Sequence, residues 1–311
     1  MTSADGYATG VAMWRAVTDH AKATAKATGV DGGALVRRFL FGRFLARVFH
    51  DPTAPWVLKG GTAMLARVHD ARTTKDVDLL HQFGDLDAAV EALTAAAKID
   101  LNDHCRFVVV GVETNTGGQP QVDGYRVTIE TYVGAVKKDT FGVDLVTGSL
   151  MTGATESVDD VVLDLRGLVA PTIRLYPVVG HIADKLCATQ AMYGAAGDLP
   201  SSRVRDLVDL VVLARSQDVD GSALVAAVRG EWTNRGLPGD PVFAPPASWD
   251  RTYPREARKA PVVSDMTAFA DAVAFVGAFL APVLDGTASG QCWLASEHAW
   301  MRAERDSRVL S

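Results

Sequence analysis

Residues 56–65 read WVLKGGTAML and residues 72–79 read RTTKDVDL, and these two segments decide the fold. The first predicts a short strand at the apolar run 56–58, which Lys59 and two glycines close, and then a brief helix over 62–69. The second, which follows a polar loop, predicts a strand over 76–81. Together they predict a small mixed α/β unit with acidic residues on its second strand.

Two carboxylates of the second segment face the same way. Asp76 and Asp78 are two residues apart on the predicted strand, so their side chains leave the same face. Neighbouring carboxylates repel each other unless a cation lies between them, and Mg²⁺ is usually held by one or two carboxylates together with substrate phosphates. Asp144 is an isolated charge on an otherwise apolar predicted strand, and it needs a metal ion or a basic partner if it is buried. The three acids predict a metal site of the kind used in phosphoryl or nucleotidyl transfer.

The two glycines suit a turn that binds phosphate. Gly60 and Gly61 stand between the first strand and its helix, where the missing side chains let the backbone approach a triphosphate. The N–H groups at the start of the helix would face that anion, and Thr62 adds a hydroxyl.

Each of these features also has a purely structural interpretation. A D-x-D pair is common at solvated strand ends, a Gly-Gly pair is common in turns, and an ion pair could satisfy Asp144. Their order along the chain favours a nucleotide site, because the strand, the glycine turn and the acids follow one another as such a site requires.

A second group of charges lies in the C-terminal half. Lys185 stands within an apolar predicted helix, and Asp206 and Asp209 share one face of the next helix. In a functional interpretation, Lys185 supplies charge for phosphates, and Asp206 orients it or the acceptor hydroxyl. In a structural interpretation this is a solvated helix face on which Arg205 and Asp209 form a surface pair.

The remaining pattern places helices on both sides of a mixed α/β block, which predicts the α+β fold class with a mixed sheet, N-terminal helices and a C-terminal helical lobe. The predicted domains are 1–175 and 176–311. Predicted helices lie in two segments of 5–50 and over 86–97, 178–193, 202–216, 222–229, 265–284 and 292–306. Predicted strands lie over 107–112, 125–132 and 140–146 and continue to about residue 176, with turns over 115–123 and 134–139.

Composition excludes several classes of protein. With 48% hydrophobic and 22% charged residues, the chain has a globular rather than a disordered balance. The longest apolar run, 272–284, is shorter than the roughly 20 residues of a membrane-spanning helix, and the N-terminus has no secretory pattern. Three separated cysteines predict no disulfide framework and no structural zinc site, so a cytoplasmic location is expected. The net charge of −6 provides no overall attraction to nucleic acid.

Taken together, the motifs resemble a known family. The runs at 56–65 and 72–79, the helix around Lys185-Leu186 and the R-D-L-x-D-L run at 205–210 are similar, in this order, to the motifs of the AbiEii/AbiGii toxin family, which includes the mycobacterial MenT toxins. The resemblance implies a polymerase-β-like nucleotidyltransferase core. It covers roughly residues 35–215, and residues 216–311 add no motif of the family.

The resemblance implies roles for the acids. Asp76 and Asp78 would hold Mg²⁺, or Mn²⁺ in its place, with Asp144 as a third ligand or a base. Asp206 would be a second essential acid in the helical lobe.

It also implies nucleotide binding by residues that supply main-chain N–H groups, a hydroxyl or a positive charge: Lys59, Gly60, Gly61, Thr62, Arg72 and Lys185. The family often has Gly-Ser where this chain has Gly61-Thr62, and threonine keeps the hydroxyl.

The implied activity is transfer of a nucleotide from an NTP to an RNA acceptor, a tRNA 3′ end as in MenT-type relatives, with release of pyrophosphate. The outcome would be blocked translation, restrained by a separately encoded antitoxin, without a membrane partner. Arg37, Arg38, Arg43 and Arg47, together with basic residues over 251–259, are either RNA contacts or solvated faces.

Two alternatives stay open. The same metal site would serve a protein-modifying transferase that places a nucleotide or phosphate on a Ser, Thr or Tyr of a partner. The non-enzyme alternative is an inactive nucleotide-binding interaction module, against which the retained Asp76, Asp78 and Lys185 argue.

Overall fold

The computed structural model describes residues 6–69, 71–114, 124–194 and 197–302, and the chain forms two compact units. Unit 1 comprises Met1–Arg67, Thr73–Ser149 and Thr155–Leu175. Unit 2 comprises Val68–Arg72, Leu150–Ala154 and Tyr176–Ser311. The short segments 68–72 and 150–154 belong to unit 2. Otherwise unit 1 ends at residue 175 and unit 2 begins at residue 176.

Unit 1 contains four helices and seven strands among its described residues: α1 (Gly10–Thr28), α2 (Gly32–Val48), β1 (Trp56–Lys59), α3 (Gly60–Arg67), β2 (Asp76–His81), α4 (Leu86–Ala97), β3 (Cys105–Thr114), β4 (Gly124–Val133), β5 (Val136–Thr147), β6 (Glu156–Asp159) and β7 (Thr172–Leu175). Local signals set several of these boundaries. The side chains of Thr9, Asp31 and Asp85 cap α1, α2 and α4 by accepting from main-chain N–H groups of the first turn,. The bounds predicted for β2 and α4 are confirmed.

The seven strands form one mixed sheet with the order β3-β4-β5-β2-β1-β7-β6. β2 pairs with β5 and β1 pairs with β7 in parallel, whereas the other neighbours are antiparallel. The mixed sheet confirms the predicted mixed α/β class. It also places β2 between β1 and β5, so the glycine turn and the acids lie on adjacent strands.

One face of this sheet is apolar and lies under helices. Phe41 and Phe44 of α2 contact the ring of Phe141 on β5, with ring centroids 4.8 and 5.4 Å apart, and Val77 and Leu79 of β2 join the same buried cluster. Alternation along a strand sends the neighbouring side chains to the opposite face, and this is the face that carries the acids.

Two of the arginines expected either to contact RNA or to lie on a solvated face are part of the buried core of unit 1 instead. Arg43 and Arg47 of α2 both donate to the carboxylate of Asp103, at 2.8 and 2.7 Å, and all three side chains are buried. Burial alone would raise the pKa of Asp103, but the two guanidinium groups outweigh it and lower that pKa. Arg37 and Arg38 are also paired, with Asp139 and Asp160. The interpretation of this helix as an RNA-binding or solvated face is wrong for its two buried arginines, because their charges stabilise the fold.

We expect Asp103→Asn to lower the free energy of unfolding by about 2 kcal/mol, because it leaves two buried guanidinium groups with one weaker, neutral acceptor. Chemical unfolding measures the change. Asp19→Asn is the control, since the Arg15–Asp19 pair is largely exposed at 3.8 Å and exposed pairs contribute little. Equal losses in the two variants would contradict the expectation.

Unit 2 is mainly helical in its described residues, with α5 (Val178–Gln190), α6 (Val204–Ser216), β8 (Val219–Asp220), α7 (Gly221–Asn234), α8 (Tyr253–Ala257), α9 (Phe269–Leu284), β9 (Gln291–Leu294) and β10 (Ala299–Arg302). α5 packs against α6 and α7, and α6 packs against α8 and α9. No helix in the described part of the chain is long and apolar enough to span a membrane.

The predicted helix over 292–306 is wrong over its described residues. β9 and β10 form an antiparallel hairpin that continues through β8. Trp293 is buried and its indole N–H donates to the main-chain oxygen of Ala214 at 2.7 Å, while Trp300 stacks on the ring of Phe279. Packing of these aromatic side chains against α9 outweighs the local helical pattern. Residues 303–306 lie outside the described residues.

The predicted turn over 134–139 is also wrong in part. Gly134, at φ +57°, turns the chain, and β5 already begins at Val136. Pairing with β4 extends β5 through polar residues, which do not show the alternation of apolar and polar side chains that predicts a strand. The turn predicted over 115–123 lies outside the described residues.

Candidate functional site

A row of charged residues crosses five strands of unit 1 on one face of the sheet. The register places Lys59 opposite Asp78, Asp78 opposite Asp144, Asp144 opposite Arg126, and Arg126 opposite Glu113. Side chains of directly opposite residues share a face and lie close together. The sheet therefore assembles acids and bases that are far apart in the sequence.

Asp76 and Asp78 lie on the same face, as predicted. Along β2 the side chains of Asp76 and Asp78 are partly exposed, whereas those of Val77 and Leu79 are buried. The register aligns Asp76 with Gly142 and Asp78 with Asp144 on the parallel strand β5, so all three acids belong to one patch.

Arg126, which sequence analysis did not single out, links two of these acids. Its Nη1 lies 2.7 Å from Oδ1 of Asp144, and its Nη2 donates to the carboxylate of Asp76. Partial burial would lower the pKa of Arg126, but the two carboxylates outweigh that effect and raise it. The basic partner expected for Asp144 is thus present. The sequence signal was an arginine within the predicted strand 125–132.

Gly142 provides the space that this guanidinium occupies. A Cβ atom at position 142 would lie 2.2 Å from Cζ of Arg126. Because Arg126 is on β4 and Asp76 is on β2, the side chain has to pass over β5 to reach Asp76. The absence of a side chain at position 142 makes that path possible.

Gly60 brings the backbone against the second acid of β2. It has a φ of +58°, and a Cβ atom there would lie 2.0 Å from Oδ2 of Asp78. Both observations require glycine. Because α3 begins at Gly60, the start of this helix lies beside this acid.

Thr62 and Lys59 are fixed by contacts within unit 1. The Thr62 hydroxyl donates to the main-chain oxygen of Asp76 at 2.8 Å, which holds α3 to the start of β2. Lys59 Nζ lies 3.1 Å from Oγ of Ser149. Thr62 is buried, so in this state its hydroxyl supports the strand that carries the acids.

The acids suit a hard divalent cation by donor chemistry. Carboxylate oxygens are the ligands that Mg²⁺ and Mn²⁺ prefer, and Asp76 and Asp144 are close enough to share one guanidinium. Within the described residues, no group of three or more His, Cys, Asp and Glu side chains is arranged to hold a metal ion. A cation would be held by the carboxylates that Arg126 now bridges.

The second charge cluster lies inside unit 2. Lys185 Nζ is 2.6 Å from Asp209 and 3.1 Å from Asp206, Arg72 donates two bonds of 2.8 Å to Asp209, and Arg203 pairs with Asp206. The three residues Lys185, Asp206 and Asp209 are buried. In this network Asp206 lies beside Lys185.

The interpretation of α6 as a solvated face is wrong. Asp209 is completely buried and does not form the expected surface pair with Arg205, which donates to Glu256 at 3.0 Å instead. Burial would raise the pKa of Asp209, but Lys185 and Arg72 lower it to about 2. Burial alone would lower the pKa of Lys185, whereas Asp209 and Asp206 raise it. In the sequence, the R-D-L-x-D-L run at 205–210 was the feature that indicated Asp209.

The predicted site residues thus form two groups. Unit 1 brings together Lys59, Gly60, Gly61, Thr62, Asp76, Asp78 and Asp144, and unit 2 brings together Arg72, Lys185 and Asp206. A family model described as nucleotidyl transferase AbiEii toxin of a type IV toxin–antitoxin system matches residues 43–278, which is more than half of the 311 residues.

The chain belongs to the AbiEii nucleotidyltransferase toxin family.

One solved structure agrees with this membership at the level of the fold. The nucleotidyltransferase toxin MenT4 of Mycobacterium tuberculosis is 18% identical, with a TM-score of 0.51 over 87% of this chain and 89% of that chain. JHP933 of Helicobacter pylori is 16% identical, with a TM-score of 0.44 over 83% and 94%. No curated protein sequence matches the chain with significance. The predicted nucleotidyltransferase fold is confirmed.

Membership in the AbiEii family makes the chain a nucleotidyltransferase toxin. Such an enzyme takes an NTP as substrate, and the type IV toxin–antitoxin assignment implies an antitoxin partner.

Proposed function

We propose that this AbiEii-family protein transfers a nucleotide from an NTP to the 3′ end of a tRNA in the cytoplasm, and thereby blocks translation until its antitoxin intervenes. The observation that carries the proposal is the charged row of unit 1, in which Asp78 lies against Gly60 and opposite Asp144. It supports the proposal because a glycine turn at the start of a helix, which is able to bind an anion, lies directly beside acids that suit a divalent cation.

In this proposal the residues of unit 1 have distinct tasks. Asp76, Asp78 and Asp144 hold Mg²⁺ or Mn²⁺, which when bound supplies charge neutralisation for the triphosphate. The N–H groups at Gly60 and Gly61 bind phosphate oxygens, and Lys59, across from Asp78, adds positive charge. Transfer is then a matter of positioning the α-phosphate and the acceptor hydroxyl.

Unit 2 contributes a second set of required residues. We propose that Lys185 and Arg72 supply positive charge for the reaction and that Asp206 holds the Lys185 ammonium in place, consistent with the 3.1 Å contact between them. The pairing of Lys185 with Asp209 keeps it charged in a buried position.

The test is transfer of label from each α-labelled NTP, with Mg²⁺, to total tRNA and to proteins of a cell extract. We expect label on tRNA and none on tRNA whose 3′ diol has been oxidised with periodate, because the proposed acceptor is that terminal hydroxyl. Label on protein would favour the protein-modifying alternative. No label on either would overturn the proposal and favour an inactive nucleotide-binding module.

A further inference from the structure

We propose that Arg126 acts as a built-in counter-cation that competes with the divalent cation for Asp76 and Asp144. The inference rests on the proposed function, because the cation concerned is the one that the transfer would use. It adds a positioning residue and a means of regulation to that site.

The first support is the bridging geometry. Arg126 directs Nη1 to Asp144 and Nη2 to Asp76, so one guanidinium engages carboxylates of two different strands. The oxygen lone pairs that accept these N–H groups are the ones a shared cation would need. A divalent cation and the guanidinium would also repel each other if both contacted the same two carboxylates. The two states therefore exclude each other.

The second support is Gly142. The guanidinium lies where a side chain at position 142 would be, with Cζ 2.2 Å from the Cβ position. Its path to Asp76 over β5 depends on this gap. The strand thus accommodates Arg126 in the bridging position.

The third support is solvent access. The exposed fractions of the side chains are 35% for Arg126, 39% for Asp76 and 27% for Asp144. Ion pairs that are this exposed are only weakly held, so a divalent cation can displace the guanidinium. A buried bridge, such as that of Lys185 in unit 2, would not be displaced in this way.

The experiment measures Mn²⁺ binding to the purified full-length chain without nucleotide, from the EPR signal of unbound Mn²⁺. We expect Arg126→Gln to tighten Mn²⁺ binding at least about fivefold, the lower end of typical coupling between two competing interactions. Gly142→Ala should also tighten it, because the added methyl group displaces the guanidinium without changing any charge.

Arg106→Gln is the matched control. Arg106 lies on β3, stacks on the ring of Tyr132 on β4 at 4.1 Å, and carries the same charge, so it should leave Mn²⁺ binding unchanged. The proposal is overturned if either Arg126→Gln or Gly142→Ala binds Mn²⁺ as the wild type does, or if Arg106→Gln tightens binding equally. Thermal unfolding verifies that each variant is folded. If Arg126→Gln is unfolded, Arg126→Lys replaces it, because a lysine cannot contact both acids at once.

The outcomes separate this inference from the proposed function. If the wild type transfers nucleotide and the variants leave Mn²⁺ binding unchanged, only the role of Arg126 fails. If the variants bind Mn²⁺ more tightly and the wild type transfers no nucleotide, the proposed function fails and the competition stands. If neither the wild type nor any variant binds Mn²⁺, the competition is overturned, and the labelling experiment alone decides the proposed function.

Discussion

Asp78→Asn is expected to lower the rate of nucleotidyl transfer at least about a hundredfold, the scale of losing one electrostatic contribution to a transition state. Asp78 is the member of the charged row that contacts the glycine turn and faces both Lys59 and Asp144. Asparagine keeps the shape but removes the negative charge that a divalent cation requires. The measurement is label transfer from an α-labelled NTP at saturating nucleotide.

Glu91→Gln is the control for that result, because Glu91 is an exposed acid on α4 of the same unit. It should transfer nucleotide at the wild-type rate. Thermal unfolding of Asp78→Asn should stay close to the wild type, since the side chain of Asp78 is only partly buried. A variant that is folded and retains more than a tenth of the activity would show that Asp78 does not hold the cation.

Asp209→Ala is expected to lower the free energy of unfolding by about 3–5 kcal/mol, because it leaves Lys185 and Arg72 without the carboxylate that both contact,. Asp209 is completely buried, so water does not replace the lost partner. Urea unfolding of the full chain, observed by tryptophan fluorescence, measures the loss, since four of the six tryptophans lie in unit 2: Trp232, Trp249, Trp293 and Trp300.

The same residue makes a prediction about acid stability. The pKa of Asp209 is lowered from 3.8 to about 2, because Lys185 and Arg72 outweigh the effect of burial. A lowered pKa in the folded state contributes stability that is present above about pH 4 and is lost as the pH falls towards 2. Wild-type stability should therefore fall over this range more steeply than that of Asp209→Ala.

The control for the Asp209 variant is Asp265→Asn in the same unit. Asp265 pairs with Arg215 at 2.6 Å, but its side chain is 69% exposed, so the loss should stay below about 1 kcal/mol. Similar losses for Asp265→Asn and Asp209→Ala would mean that the buried network does not support the fold of unit 2.

Much of unit 1 was predictable from short-range patterns. Alternation along 76–81 placed Asp76 and Asp78 on one face, and the glycine pair after Lys59 marked the turn into α3. These features depend on the strand period and on the conformational freedom of glycine, both of which are local. The family motifs depend on the same local segments.

Pairing between distant segments was not predictable. Arg126 reaches Asp76 because β4 and β5 are neighbours and because Gly142 leaves a gap, and nothing near Arg126 in the sequence shows either condition. In the same way, β9 and β10 replace a predicted helix because the rings of Trp293 and Trp300 pack against Phe279.

The sequence by itself determined the class of the fold, the acids of β2 and their glycine turn, because these features depend on the spacing of residues only a few positions apart. Only the tertiary structure decided which charges are paired. Arg43 and Arg47 lie in the core with Asp103, and Asp209 lies buried beside Lys185. The physical reason is that the free energy of a charge depends on its burial and its partners, and both come from parts of the chain that meet only when it folds.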